Sequence, residues 1–210
     1  MLTTHIGADV SWPAETAYSS SGDPLSKQKI LRAALHLFAQ RGVHAVTVRE
    51  IAAEAGYTNP ALFKFFATKD ALAMHLFERC YLQLFERLYQ ACKGRSAFED
   101  RLAAILEVFF SQIEHDADAF LFIQDHVRVM WPHVSRQTRK KSILWLIRSV
   151  LQQGVRKGEV IGGLDIDLLV AAITGTLQQY ARMVQFGEFK GQVRERLPEM
   201  SAIIRRIVKP

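Results

Sequence analysis

The sequence predicts an all-α protein of about nine helices, and three observations predict it. From Ser26 onward, apolar residues recur every three or four positions almost without interruption, as they do along one face of a helix. No segment alternates apolar and polar residues for long enough to make a strand. Glycine and proline fall between the periodic stretches, at Gly42, Gly56, Gly94, Pro132, Gly158 and the pair Gly162 and Gly163, where helices stop.

Residues 1–25 contain Pro13, Pro24 and the run Ser19, Ser20, Ser21; the segment is aperiodic and reads as a flexible tail. Its charged residues are Asp9, Glu15 and Asp23, so it is not a basic arm for gripping DNA. The first helix is expected over 27–41, with Ile30, Ala34, Leu37 and Phe38 inward. A second covers 48–55, a third 59–66 and a long fourth 69–91. The fifth, over 97–113, aligns Phe98, Leu102, Ile105, Leu106, Phe109 and Ile113 on one stripe. The sixth runs over 117–130 and ends before Pro132, which disfavours helix in the residue preceding it. A seventh is expected over 136–157, an eighth from Asp165 to about residue 186 and a ninth over 193–208.

The formal charge of +6 is concentrated near the N-terminus. Residues 26–69 carry seven Lys or Arg (Lys27, Lys29, Arg32, Arg41, Arg49, Lys64, Lys69) against Glu50 and Glu54. A local excess of this kind favours a polyanionic partner. Two cysteines, Cys80 and Cys92, cannot make a disulfide framework or, alone, a metal site; they read as reduced thiols. Residues 1–24 lack the positive start and apolar run of a secretion signal. The longest apolar run, residues 168–173, is far short of the ~20 residues that span a bilayer. The protein is therefore expected to be cytoplasmic. Catalysis finds little support. His126 and His133 have no ligand partner at helical spacing, Asp116 and Asp118 do not share a helix face, and there is no glycine-rich phosphate loop or nucleophile elbow. No metal or cofactor is expected.

The informative stretch is 46–72. Thr47 and Glu50 have the spacing of a capping box, and Val46 and Ile51 that of a hydrophobic staple. Val48, Ile51, Ala52 and Ala55 then form an apolar stripe, with alanines small enough for close helix approach. Gly56 follows where a left-handed residue is needed. Thr58 is the next N-cap, and Pro60 falls in a first turn, where a missing N–H costs little. Leu62 and Phe66 face inward, leaving Asn59, Ala61, Phe63, Lys64 and Phe65 outward, and Thr68 caps the fourth helix. Two short helices joined by a glycine-containing turn have helix-turn-helix geometry, in which the second helix enters the DNA major groove. The other reading is a plain helical hairpin in a bundle, but outward phenylalanines on a short helix argue against it.

This run resembles the TetR family of one-component regulators. The residues that carry the resemblance are Thr47, Ile51, Ala52, Ala55, Gly56, Leu62, Phe63, Phe65, Phe66, Thr68, Lys69, Asp70 and Leu72. The resemblance implies a three-helix DNA-binding domain over 26–72 and a larger helical domain over 73–210 that dimerises and binds a small molecule. It also implies that Thr47 and Arg49 contact phosphate, that Thr58, Asn59, Pro60, Ala61 and Lys64 lie at or near base edges, and that Lys69 holds the DNA backbone. Phe63 and Phe65 depart from the family's usual Tyr and His or Tyr. A phenyl ring cannot donate to phosphate, so contact with a thymine methyl or a sugar is expected instead.

In the larger part, Ala171 with Gly175 and Ala172 with Thr176 are small residues four apart, a spacing that lets two helices approach. Met200, Ile203, Ile204 and Ile207 offer apolar surface on the last helix. A homodimer through the last two helices is expected, with a near-palindromic operator. Phe109, Ile123, His126, Val127, Met130, Trp145 and Tyr180 are the candidate ligand-binding residues, His126 being the polar one, and the effector is expected to be apolar or aromatic. Residues 134–157 hold seven basic residues and no acid. They read as a solvated helix face, with a second nucleic-acid patch as the alternative. The rival to a ligand-responsive repressor is a small-molecule-binding or protein-interaction module that keeps the helix-turn-helix as scaffold.

Overall fold

A computed structural model of the chain describes residues 22–189 and 191–209, and these contain helices and no strand. The expected tail lies outside the described residues except for its last four, of which Leu25 already opens the first helix. The helices are α1 (Leu25–Arg41), α2 (Val48–Glu54), α3 (Asn59–Phe63), α4 (Lys69–Cys92) and α5 (Phe98–His115). They are followed by α6 (Ala117–Met130), α7 (Arg136–Arg139), α8 (Ile143–Arg156), α9 (Ile166–Gln185) and α10 (Leu197–Val208).

Helix α1 is a shared wall. It packs against α2 and α3 on one side and against α4 and α6 on the other. Leu31, Ala33, Leu35 and Ala39 are therefore buried along with the expected Ile30, Ala34 and Phe38, whereas Leu37 is only half-buried. Phe38 stacks on Phe122 of α6, with ring centroids 5.9 Å apart. Beside it, His36 Nδ1 donates to Asp118 Oδ2 at 2.8 Å. One continuous apolar cluster thus runs from the N-terminal helices through α4 and α6 into the rest of the chain.

The stripe expected on the fifth helix is buried throughout: Phe98, Leu102, Ile105, Leu106, Phe109 and Ile113 all lie in the core. Its N-cap position, Ala97, has no side chain to cap with; the carboxylate of Glu159, 61 residues away, accepts from the Phe98 amide instead. Close packing at this same end of α5 depends on Gly154. A β-carbon there would stand 2.5 Å from Val160 Cγ2 and 3.2 Å from Phe98 Cδ2.

Two expected helices are interrupted. The seventh splits into the one-turn α7 and the longer α8, because Ser142 caps a new start by accepting from the Trp145 amide. The ninth begins as a short 3-10 segment, Val193–Arg196, and becomes α-helical at Leu197, with Pro198 in the first turn.

Candidate nucleic-acid interface and ligand cavity

The capping box of α2 forms as the spacing implies. Thr47 Oγ1 accepts from the Glu50 amide at 3.2 Å, and Glu50 Oε2 accepts from the Thr47 amide at 2.7 Å. The Thr47 hydroxyl proton also goes to Glu50, and Arg41 reaches the other carboxylate oxygen at 2.8 Å. Hydrogen bonding from Thr47, ahead of that from Arg41, lowers the Glu50 carboxyl to a pKa of about 2. The turn closes as a Schellman motif: the Tyr57 amide donates to Ala52 O, the Gly56 amide to Ala53 O, and Gly56 has φ 73°.

Helix α3 is one short turn, not the eight residues expected, and Lys64 is already its C-cap. Leu62 and Phe66 are buried beneath it, as the spacing requires. Thr58 stands at the N-cap with extended backbone, but its side chain makes no capping bond. Its hydroxyl is not spent on its own helix. Thr58, Asn59, Pro60 and Lys64 are exposed, Ala61 is half-buried and Phe63 is 50% exposed, so these side chains surround one outward face. Arg49 is exposed on α2. Phe65 is a correction: it does not face fully outward but is half-buried, packed against the core.

Lys69 has a role that spacing alone did not reveal. Its Nζ donates to Val43 O and Val46 O, both at 2.7 Å, and stands 3.5 Å from His44 O. The ammonium ties the chain between α1 and α2 to the start of α4. Lys27 and Arg41 are likewise engaged within the protein, with Asp23 and Glu50. The positive charge turned outward near α3 is therefore smaller than the residue count suggests, with Arg49 and Lys64 prominent in it.

The second feature is a cavity of about 250 Å³ enclosed by α4, α5, α6, α8 and α9. Tyr81, Leu84 and Leu88 line it from α4, and Ile105 and Phe109 from α5. Helix α6 contributes Phe120, Ile123, Gln124 and Val127, an i, i+3, i+4, i+7 stripe, with Trp131 just beyond. Ser142, Ile143, Leu144 and Ile147 close one side, and Thr174, Leu177 and Gln178 the other. Leu144 and Gln178 are exposed and so mark the mouth. Among the described residues, no charged side chain lines the cavity.

Most polar lining groups are already satisfied. The Tyr81 hydroxyl accepts from the Ile143 amide, Ser142 Oγ accepts from the Trp145 amide, and Thr174 Oγ1 donates to Val170 O. Burial pushes the Tyr81 phenol up from its ordinary pKa. Gln124 is the exception. Its Nε2 is buried and is the one such side-chain atom among the described residues without a hydrogen-bond partner. A buried donor left unpaired costs about 1–3 kcal/mol, so it calls for an explanation.

Of the seven expected ligand-binding residues, the structure brings Phe109, Ile123 and Val127 to the cavity wall. The other four are corrections. His126 lies off the stripe, its ring 4.6 Å from that of Phe122 and its Nδ1 donating to Phe122 O. Met130 is buried without reaching the cavity. Trp145 is 61% exposed on the outside of α8. Tyr180 packs on Phe110 and Phe189 and donates to Val193 O, which fixes α9 to the last segment. Gln124 was missed because a lone glutamine on a helix carries no signal until its neighbours are known.

Comparison with known proteins agrees with this architecture. Residues 30–76 match the family model for bacterial regulatory proteins of the tetR family. The fatty acid metabolism regulator protein of Bacillus subtilis (strain 168) is 26% identical over 153 residues, covering 72% of this chain and 79% of that protein. The HTH-type transcriptional repressor KstR2 of Mycobacterium tuberculosis is 28% identical over 153 residues, covering 70% and 76%. The crystal structure of the regulator FadR from Bacillus subtilis in complex with stearoyl-CoA shares the fold, with a TM-score of 0.67 at 21% identity, covering 85% of this chain and 97% of that one. Residues 30–76 thus match the DNA-binding part of tetR-family regulators, and most of the chain is similar to transcriptional regulators that share it. No helix among the described residues is long and apolar enough to cross a membrane.

Proposed function

We propose that the chain is a cytoplasmic, ligand-responsive repressor that binds a near-palindromic operator as a homodimer and is released by a small, largely apolar effector. The observation that carries this reading is the pairing of an outward α3 face with an apolar cavity walled in part by α4, the helix that follows α3. Thr58, Asn59, Pro60, Ala61, Phe63 and Lys64 would meet base edges or sugars. Thr47 and Arg49 at the start of α2 would meet phosphate, the exposed Arg49 guanidinium supplying the charge. Phe65 would act from beneath this face, and Lys69 would position the head, supplementing any phosphate contact with its hold on the 43–46 turn.

The route from effector to DNA runs through α4 and α6. One face of α6 walls the cavity, and the other holds α1 through Phe122 and Asp118. An effector that separates α4 from α6 shifts α1 and, with it, the spacing of the two heads. It does so only by the difference in its affinity for the two arrangements. Stearoyl-CoA, present in the FadR complex, has a long hydrocarbon chain; a hydrocarbon portion of that kind suits the lining found here.

The test is genome-wide footprinting with the purified protein, followed by Lys64→Ala on the sites found. Lys64→Ala is expected to weaken binding by about tenfold or more, as losing a base contact worth ~1–3 kcal/mol does, and to relax base preference. An unchanged affinity for every site would favour the rival, in which the helix-turn-helix is only scaffold.

A further inference from the structure

We propose that Gln124 selects the effector, its amide nitrogen donating a hydrogen bond to an uncharged carbonyl set in a hydrocarbon frame. The inference rests on reading the cavity as the effector site. Three observations carry it. Gln124 belongs to the cavity-facing stripe of α6, yet its Nε2 is buried without a partner. An amide nitrogen only donates, so the group it matches is an acceptor. The hydroxyls of Tyr81, Ser142 and Thr174 each have a partner and Gln178 is exposed at the mouth, so Gln124 Nε2 is the buried lining atom with none among the described residues.

The lining excludes a charged acceptor. Among the described residues no Lys, Arg or His faces the cavity to balance a carboxylate, and an unbalanced buried charge costs far more than a neutral dipole. The remaining wall, built from residues such as Leu84, Leu88, Ile105, Phe109 and Ile123, matches hydrocarbon. A site built to hydrogen-bond one polar atom rejects the analogue that lacks it, because its own donor is then left unpaired. A ketone on a ring compound and the ester or thioester carbonyl of an acyl chain share this chemistry.

Four probes test the idea by calorimetric titration of the full chain: 4-phenylbutan-2-one, butylbenzene, methyl octanoate and octanoate. The wild type is expected to bind the ketone about tenfold more tightly than butylbenzene, which is ~1.4 kcal/mol. It should prefer methyl octanoate to octanoate by at least as much. Gln124→Met keeps side-chain length without the donor and should bind ketone and hydrocarbon equally. The ligand-free variant should also melt about 2–4 °C higher, because an unpaired buried donor has been removed. A lower melting temperature, or a ketone preference that survives in Gln124→Met, overturns the proposal. Equal binding of ketone and butylbenzene by the wild type, or a preference for octanoate, overturns it too while leaving the cavity reading intact. If none of the four probes binds, the cavity reading falls and takes the proposal with it. Within a positive result, whichever of ketone and ester binds more tightly identifies the frame as ring or acyl chain.

Discussion

Asp116 sits at the junction of α5 and α6, as C-cap of one and N-cap of the other, and caps neither with its side chain. Burial raises its carboxyl to a pKa of about 6, against the opposing pull of a Gln112 hydrogen bond and the Arg87 charge; Asp118 adds to the rise. The folded protein therefore holds this proton at pH values where the unfolded chain has released it. Stability from this site is full below about pH 4 and falls as pH rises through about 6. Asp116→Asn removes the buried charge. It is expected to stabilise the protein at pH 8 by on the order of 2–3 kcal/mol and to have no such effect near pH 4, read from urea unfolding at both pH values. An equal effect at the two pH values would show that the carboxylate is not the cause. At this scale, legibility followed sequence distance. Thr47 and Glu50 could be paired from the sequence because their bonds span three residues. Lys69 could not be read as a clamp, because its carbonyl partners lie 23 and 26 residues away. Nor could Gln124, because its meaning depends on the other helices around the cavity.

At the scale of the element, helices whose ends are set locally were legible, and those set from afar were not. The ends of α2 and the start of α4 follow from Thr47, Gly56 and Thr68, each acting on its nearest amides or carbonyls. The break before α8 is legible only in hindsight, since Ser142 had to win against a continuous apolar period. The start of α5 was placed correctly by its stripe, although its cap comes from Glu159. That same loop holds Val160 against Gly154. Alanine at 154 should favour the helix by about 1 kcal/mol. Its β-carbon would instead overlap the stiff, buried Val160, a cost of about 1–3 kcal/mol. Gly154→Ala is expected to be destabilising by roughly 1 kcal/mol net, and Val160→Ala in the same chain to recover most of that loss. A double-mutant cycle in urea reads the coupling; additive effects would place the strain elsewhere.

At the scale of the whole molecule, all-helical architecture and a helix-turn-helix head were readable from periodicity and punctuation, but the partition of apolar surface between core and interface was not. Met200 and Ile204, expected to face a partner, are buried within the subunit, whereas Ile203 is 47% exposed and Ile207 half-buried. On α9, Leu168 is 69% exposed, Ala171 and Gly175 follow it on the same stripe, and nothing stands within 4 Å of where a Gly175 β-carbon would be. A monomer gains nothing from such a stripe; a two-fold partner laying its own α9 across it would bury both copies at once. Gly175→Arg tests that arrangement cleanly. Arginine is a better helix former than glycine at an exposed position, so the helix itself should not suffer. The long charged side chain would stand where the partner backbone must approach. The variant is expected to keep its circular dichroism, to run as a monomer in light scattering, and to bind a full palindrome no better than a half-site. Losing the linked second head should weaken operator binding by about 10²-fold or more. A Gly175→Arg protein that remained dimeric would move the proposed interface off α9 and, with it, the proposed arrangement in which two heads would stand about 34–36 Å apart.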